Sequence, residues 1–197
     1  MKLPGGRGRG GGAPVDWLIV GLGNPGAEYK GSPHNIGFEV AQRLNERWAL
    51  GKPKSRYRGL ITEGRTGPGR PRVAVLMPQT YMNEAGKSVS PARGELRVDL
   101  DHVLVVHDEI DLPFGDIRTR LGGGLAGHNG LKSLKASLGS PDFRRVRIGV
   151  GRPPTTDPDR VAAYVLGKFR EPNADVEALI DAGADAAQQV IEDAVDR

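Results

Sequence analysis

Two segments of this chain, Val15–Leu22 and His102–His107, are apolar with almost no alternation, and this constrains the fold more than any other feature. A strand that is hydrophobic on both faces must be covered on both, so each segment reads as a buried strand. Residues 72–77 and 145–150 read as further strands. Residues 55–63 are polar enough for an edge strand. In 116–121, Ile117, Thr119 and Leu121 alternate with Arg118 and Arg120, the pattern of a half-exposed strand. Helical spacing runs through Asn35–Leu50 at Ile36, Phe38, Val40, Ala41, Leu44 and Trp48, and returns in Asn129–Leu138, Asp157–Leu166 and Asn173–Asp193. The stretch from Asn83 to Leu96 is weakly helical, with Pro91 and Gly94 interrupting it. The expectation is an α/β fold: a single three-layer domain with a central, mostly parallel mixed sheet flanked by helices. Strand order cannot be read from these patterns.

Residues 1–14 are rich in glycine and too poor in apolar residues to offset their ordering entropy, so a disordered Gly/Arg-rich tail is expected before a folded domain over 15–197. Apolar residues make up 38% of the chain and no apolar run reaches the length of a membrane span, so a soluble, cytoplasmic protein is expected. The absence of cysteine excludes disulfides, thiolate catalysis and cysteine-based zinc sites. Charge is unevenly placed. Residues 1–14 carry +3 and residues 171–197 carry −7, which leaves +8 on the intervening body. A basic body suits a polyanionic partner, nucleic acid first.

The first buried strand runs into Gly21-Leu22-Gly23-Asn24-Pro25-Gly26, a literal match to a dinucleotide-binding fingerprint. Its context is wrong for that role. Pro25, Gly26, Gly31 and Pro33 keep a helix from starting inside the motif, and the acid expected about 20 residues on falls near Glu46, within a helix. The motif leads instead to His34, just ahead of the first helix. The second buried strand ends in His107-Asp108-Glu109-Ile110-Asp111, which places carboxylates where a sheet stops and where α/β folds bind ligands. A carboxylate there can hold an imidazole Nδ1–H and raise its basicity. Two other readings of these acids stand open: solvated turn residues before Pro113, or ligands of a metal-dependent hydrolase at Asp108, Glu109 and Asp111. No HExxH or EF-hand spacing accompanies them, so no metal is expected.

Asn24, Asn83 and Asn129 each lie near a loop–helix junction, as helix caps often do, and together they also suit peptide amides and ribose hydroxyls. Gly122–Gly130 is a glycine loop leading into a helix, suited to cradling a phosphate or to moving as a lid. It is no P-loop, since no Gly-Lys-Ser/Thr comes after it. Gly-x-Ser-x-Gly is absent, so His34 is expected to activate water directly.

These segments, with Pro78–Gly86 (PQTYMNEAG), Phe143–Val150 and Tyr164–Phe169 (YVLGKF), resemble the bacterial peptidyl-tRNA hydrolase family in order from residue 15 to about 170. Two departures stand out: Pro33 where the family usually has Arg, and Ala126-Gly127 where it commonly has Gly-Gly before His-Asn. The resemblance implies hydrolysis of the ester between a peptide and the 3′-terminal ribose of tRNA, with no cofactor and a monomeric enzyme. It implies His34 as general base, Asp108 as the group that stabilises its basic form, and Asn24 as discriminator of blocked from free aminoacyl groups. Tyr29, Tyr81, Asn83 and Asn129 would line the site for the aminoacyl–ribose end, and Met82 would pack beside the peptide. Arg118 with Arg120, Lys132 with Lys135, and Arg145 with Arg147 share faces by strand or helix spacing and are candidate phosphate contacts. The main rival is a non-catalytic RNA-binding protein on the same fold.

Overall fold

The computed structural model describes residues 13–197, so most of the glycine-rich tail lies outside the described residues. At its centre is β1 (Trp17–Gly21), buried along its whole length. It pairs in parallel with β4 (Arg72–Pro78) on one side and β5 (Val103–Glu109) on the other, Leu18 opposite both Ala74 and Val103. β5 pairs in parallel with β7 (Arg144–Gly149). The flanks are antiparallel: β2 (Lys54–Arg56) and β3 (Gly59–Arg65) beyond β4, and β6 (Ile117–Leu121) beyond β7, giving the order β2-β3-β4-β1-β5-β7-β6. Four central strands run parallel, as expected for strands buried on both faces.

Alternation along the strands divides the interior into two apolar layers. Trp17, Ile19, Leu104 and Val106 face α1 (Ile36–Arg47) and α5 (Asn173–Val195). Leu18, Val20, Val103 and Val105 face α2 (Gly86–Leu96) and α3 (Asn129–Leu138). The short α4 (Pro158–Leu166) has no buried residue. The acidic C-terminal helix meets a basic partner, with Arg43 bonded to Glu177 at 2.6 Å and Arg47 to Asp185 at 2.9 Å.

Two local expectations are corrected. Residues 55–63 are not one strand: Tyr57 and Arg58 have φ of 54° and 50° and form the turn of a β2–β3 hairpin. Such turns usually advertise themselves with Asn-Gly, and here two bulky residues occupy the left-handed positions. Pro91 and Gly94 do not interrupt α2, which is continuous from Gly86 to Leu96. Burial of Ser88, Val89, Ala92 and Leu96 on one face outweighs the backbone bond lost at Pro91.

The approach of α1 to the sheet depends on glycine. A Cβ at Gly37 would lie 2.5 Å from the backbone N and O of Leu22 and from Val106 O. None of those atoms can yield without moving a central strand, so Gly37→Ala is expected to lower stability by about 2–3 kcal/mol. Gly94 is the opposite case: a Cβ there meets nothing within 4 Å. Gly94→Ala in the interior of α2 is expected to raise stability by about 1 kcal/mol. Urea denaturation of both variants checks the pair, and an unaffected Gly37→Ala would contradict the packing described.

Candidate active site

β1 and β5 end side by side, and the polar groups at their C-terminal ends converge there. After β1 the chain runs through a loop to a 3-10 turn, Pro33–Asn35, that carries His34 and opens α1. Pro33 occupies the first turn, where the missing N–H has no partner to lose. Asn35 ties this turn to the loop, since its Oδ1 accepts the Asn24 N–H at 2.8 Å and its Nδ2 donates to Asn24 O at 3.0 Å. Asn24 is thereby held on both sides of its backbone. Its own Oδ1 accepts the Met82 N–H at 2.7 Å. A backbone N–H can only donate, so this bond fixes the flip of the amide and turns Nδ2, a donor, toward the cavity.

Asp108, 3% exposed, is the hub. His34 Nδ1 lies 2.9 Å from both of its carboxylate oxygens, and His128 Nε2 lies 2.9 Å from Oδ1. The partners decide the tautomers. His128 caps α3, its Nδ1 accepting the Gly130 and Leu131 N–H groups at 3.1 and 3.3 Å. The proton of neutral His128 is therefore on Nε2 and is donated to Asp108. His34 donates Nδ1–H to the same carboxylate, which leaves its Nε2 lone pair for the cavity.

Burial alone would raise the Asp108 pKa, but the charge and hydrogen bonds of His34 and His128 hold it well below the usual carboxylate range. For His34, burial opposes the cation, and the Asp108 carboxylate overcomes that penalty, so its pKa is raised above 6.5. Behind them, His107 donates Nδ1–H to Asp108 O at 2.8 Å and packs edge-on against His128 at 5.1 Å. Burial, reinforced by His128, pushes the His107 imidazole down to about 3, so it stays neutral.

A cavity of about 670 Å³ opens in front of this cluster. Asn24, His34, Met82 and Asp108 form its floor, with Tyr81, Asn83 and Asn129 exposed around it. The far wall is the apolar face of α4, with Val161, Ala162, Val165 and Leu166. Tyr29, half-buried in the turn Ala27–Tyr29, is not part of the cavity wall, contrary to its expected place in the site.

His34, Asp108 and His128 also have the composition of a metal trio. The capping bonds to His128 Nδ1 place a proton on the nitrogen that would have to ligate, so the donor set does not fit a cation there. Nor do Asp108, Glu109 and Asp111 converge as ligands. Glu109 turns to Arg147 at 3.4 Å and Asp111 to Arg152 at 2.8 Å.

The basic candidates divide. Arg118 and Arg120 stand exposed on edge strand β6, and Lys132 and Lys135 stand exposed on α3. Arg147 is half-buried beside Glu109. Arg145 is corrected: at 1% exposure it cannot reach a phosphate, and its guanidinium bonds instead to the carbonyls of Gly123, Gly124 and Pro141. Strand spacing tells that Arg145 and Arg147 share a face, but not that the glycine loop covers part of it. His128, Asn35 and the apolar face of α4 are additions that the sequence patterns do not place in the site. The signal for His128 is a histidine at the position where a helix wants a side-chain acceptor.

Residues 18–197 match the family model described as peptidyl-tRNA hydrolase. Among curated relatives, the peptidyl-tRNA hydrolase of Parvibaculum lavamentivorans is 48% identical over 86% of this chain and 82% of its own. That of Pseudarthrobacter chlorophenolicus is 43% identical over 90% of each. A crystal structure of peptidyl-tRNA hydrolase from Acinetobacter baumannii superposes with a TM-score of 0.78 at 35% identity, covering 93% of this chain and 90% of that one. A matched family model spanning nearly the whole chain and these two relatives agree with the geometry at the sheet end: the chain is an enzyme of the peptidyl-tRNA hydrolase family.

Proposed function

We propose that the protein hydrolyses the ester joining a peptide to the 3′-terminal ribose of tRNA, releasing free tRNA and peptide, with His34 as general base. One observation carries this reading: an imidazole anchored through Nδ1 to a buried carboxylate, with Nε2 open to a cavity beside an oriented amide. His34 Nε2 takes a proton from water as the water oxygen attacks the ester carbonyl. Asp108 stabilises the imidazolium that forms. Asn83, on the cavity wall, is the proposed donor to the developing oxyanion. Collapse expels the ribose oxygen, which takes the proton back from His34. An ester has a good enough leaving group for a base and an oriented donor to suffice.

Asn24 supplies discrimination. Its Oδ1 is turned to the Met82 N–H, so Nδ2–H is the group presented to the substrate, and its natural partner is a peptide or acyl carbonyl. A free α-ammonium would lose hydration against a donor and gain nothing. The apolar face of α4 offers burial for the side chains of the peptide. Arg118, Arg120, Lys132 and Lys135, exposed on neighbouring elements, are proposed to track tRNA phosphates without reading sequence. Among the described residues no helix is long and apolar enough to cross a membrane. A cytoplasmic monomer acting on tRNA is the corresponding proposal.

With N-acetylated aminoacyl-tRNA as substrate, His34→Ala is expected to lose about 10²–10⁴-fold in kcat while still binding tRNA. The base works deprotonated and its pKa is raised, so kcat/KM rises with pH along a limb centred above 6.5. A pH-independent rate, or a fully active His34→Ala, would remove His34 from the role. Asn24→Asp presents an acceptor to the ammonium and is expected to shift the ratio of unblocked to blocked hydrolysis upward by about tenfold or more; single-turnover assays on both substrates measure it. Arg118→Ala with Arg120→Ala is expected to reduce the slope of log affinity for tRNA against log salt by about 2, and an unchanged slope would place the phosphate contacts elsewhere.

A further inference from the structure

The glycine loop between β6 and α3 has no regular structure to hold it. Gly122, Gly123, Ala126 and Gly127 all have positive φ, at 68°, 98°, 49° and 72°. Yet this loop delivers His128 to Asp108 at 2.9 Å and Asn129 to the cavity wall. A segment with four left-handed residues needs an external reason to keep one conformation. Its backbone bonds are few: Gly122 N–H to Phe143 O at 3.0 Å and His128 N–H to Leu125 O at 2.9 Å.

The reason lies underneath. The Arg145 guanidinium, in the interior, donates to Gly124 O at 2.6 Å, Gly123 O at 3.2 Å and Pro141 O at 3.0 Å. It stacks over the Phe143 ring at 4.7 Å. A planar fork of donors can bond several carbonyls at once, which the single ammonium of a lysine cannot reproduce. On the neighbouring strand Arg120 stands opposite Arg145, and its side chain lies against Gly123, where a Cβ would collide with it. The loop is thus held between two arginines, one buried and one exposed. Burying a cation costs stability, and among the described residues no acid pairs with Arg145; only backbone carbonyls meet it. A chain that needed only to fill this space would do so with an apolar residue.

We infer that Arg145 is a positioning residue: by fixing the carbonyls of Gly123 and Gly124 it sets the loop that brings His128 onto Asp108 and Asn129 to the cavity. The consequence reaches the base through a chain of contacts. With the loop released, the His128 N–H leaves the carboxylate, Asp108 interacts with His34 undivided, and His34 becomes more basic.

The inference rests on the hydrolase reading for its kinetic arms, so it is tested on two kinds of readout. In the intact enzyme, ¹⁵N relaxation is expected to give residues 123–125 order parameters near those of rigid backbone, about 0.85, and ¹⁵N shifts are expected to show His128 as the Nε2–H tautomer. Order parameters below about 0.6 would overturn the inference whatever the activity proves to be. In Arg145→Lys, kcat is expected to fall about tenfold, the acidic limb of the pH profile to move up, and the salt slope of tRNA affinity to stay unchanged. His128→Gln is expected to absorb the effect, the double variant being no slower than His128→Gln alone. A wild-type pH limb in folded Arg145→Lys, strict additivity with His128→Gln, or a shallower salt slope would each overturn it, the last by returning Arg145 to the phosphate contacts. Should Arg145→Lys fail to fold, the relaxation and tautomer measurements on the wild-type protein still decide.

Discussion

Asp108 is a carboxylate almost sealed from water at the end of a central strand, and every other feature of the site is arranged around making that tolerable. An ionised carboxylate in such a place needs charge-assisted hydrogen bonds to stay ionised. Two imidazoles provide them, one from the turn before α1 and one from the cap of α3. Three chain segments far apart in sequence therefore meet on one side chain. Loss of any of them leaves either a buried charge without compensation or an imidazole without orientation. The same pairing that satisfies Asp108 leaves one lone pair, on His34 Nε2, directed at a cavity.

The sheet makes that meeting possible. β1 and β5 are parallel neighbours, so both chains leave the sheet at the same edge, with Gly21 opposite Val106 at the exit. For His34 to reach Asp108, the first turn of α1 must come down almost onto the strands. Gly37 permits this, touching Leu22 and Val106 at distances no side chain would allow. Gly21 and Gly23 of the fingerprint-like motif serve the same approach, since a Cβ at either would collide with Gly37, Ala41 or Phe38 of α1, so the superficial likeness to a nucleotide-binding loop has a packing cause.

How much of this is legible in the sequence depends on what kind of information each residue carries. Asp108 and Asn24 can be placed because they lie at or just past the ends of buried strands, which are geometrically defined, and His34 because the loop leaving β1 carries it to the start of α1. His128 escapes such a reading because its role is set by α3, whose cap it forms, and a histidine is an uncommon cap. Asn35 works through the backbone of Asn24, a contact that no spacing rule announces. The hairpin turn at Tyr57-Arg58 lacks the residues that normally mark one, and the helix through Pro91 is sustained by tertiary burial against a local breaker. Arg145 shows the limit most clearly. Period-two spacing assigns it a face shared with Arg147, but whether a face is covered is decided by segments elsewhere in the chain.

Two imidazoles bond to the same carboxylate, yet only one keeps a ring nitrogen free of a hydrogen-bond partner. His128 has its Nδ1 occupied by two backbone N–H groups, so a second proton there would confront two donors and uncap α3. It would also set a second cation beside His34, whose ring lies 5.0 Å away. His107, behind it, is neutral and faces the interior. His34 alone of the pair keeps an unoccupied ring nitrogen, and a proton placed there sits on a ring that the carboxylate already holds. At rest the cluster carries one negative charge; with the imidazolium formed it carries none. In the reaction proposed above, the buried site would become electrically neutral as His34 takes the proton of the attacking water, and the penalty that burial imposes on the imidazolium would be offset by removal of the penalty on an unbalanced Asp108.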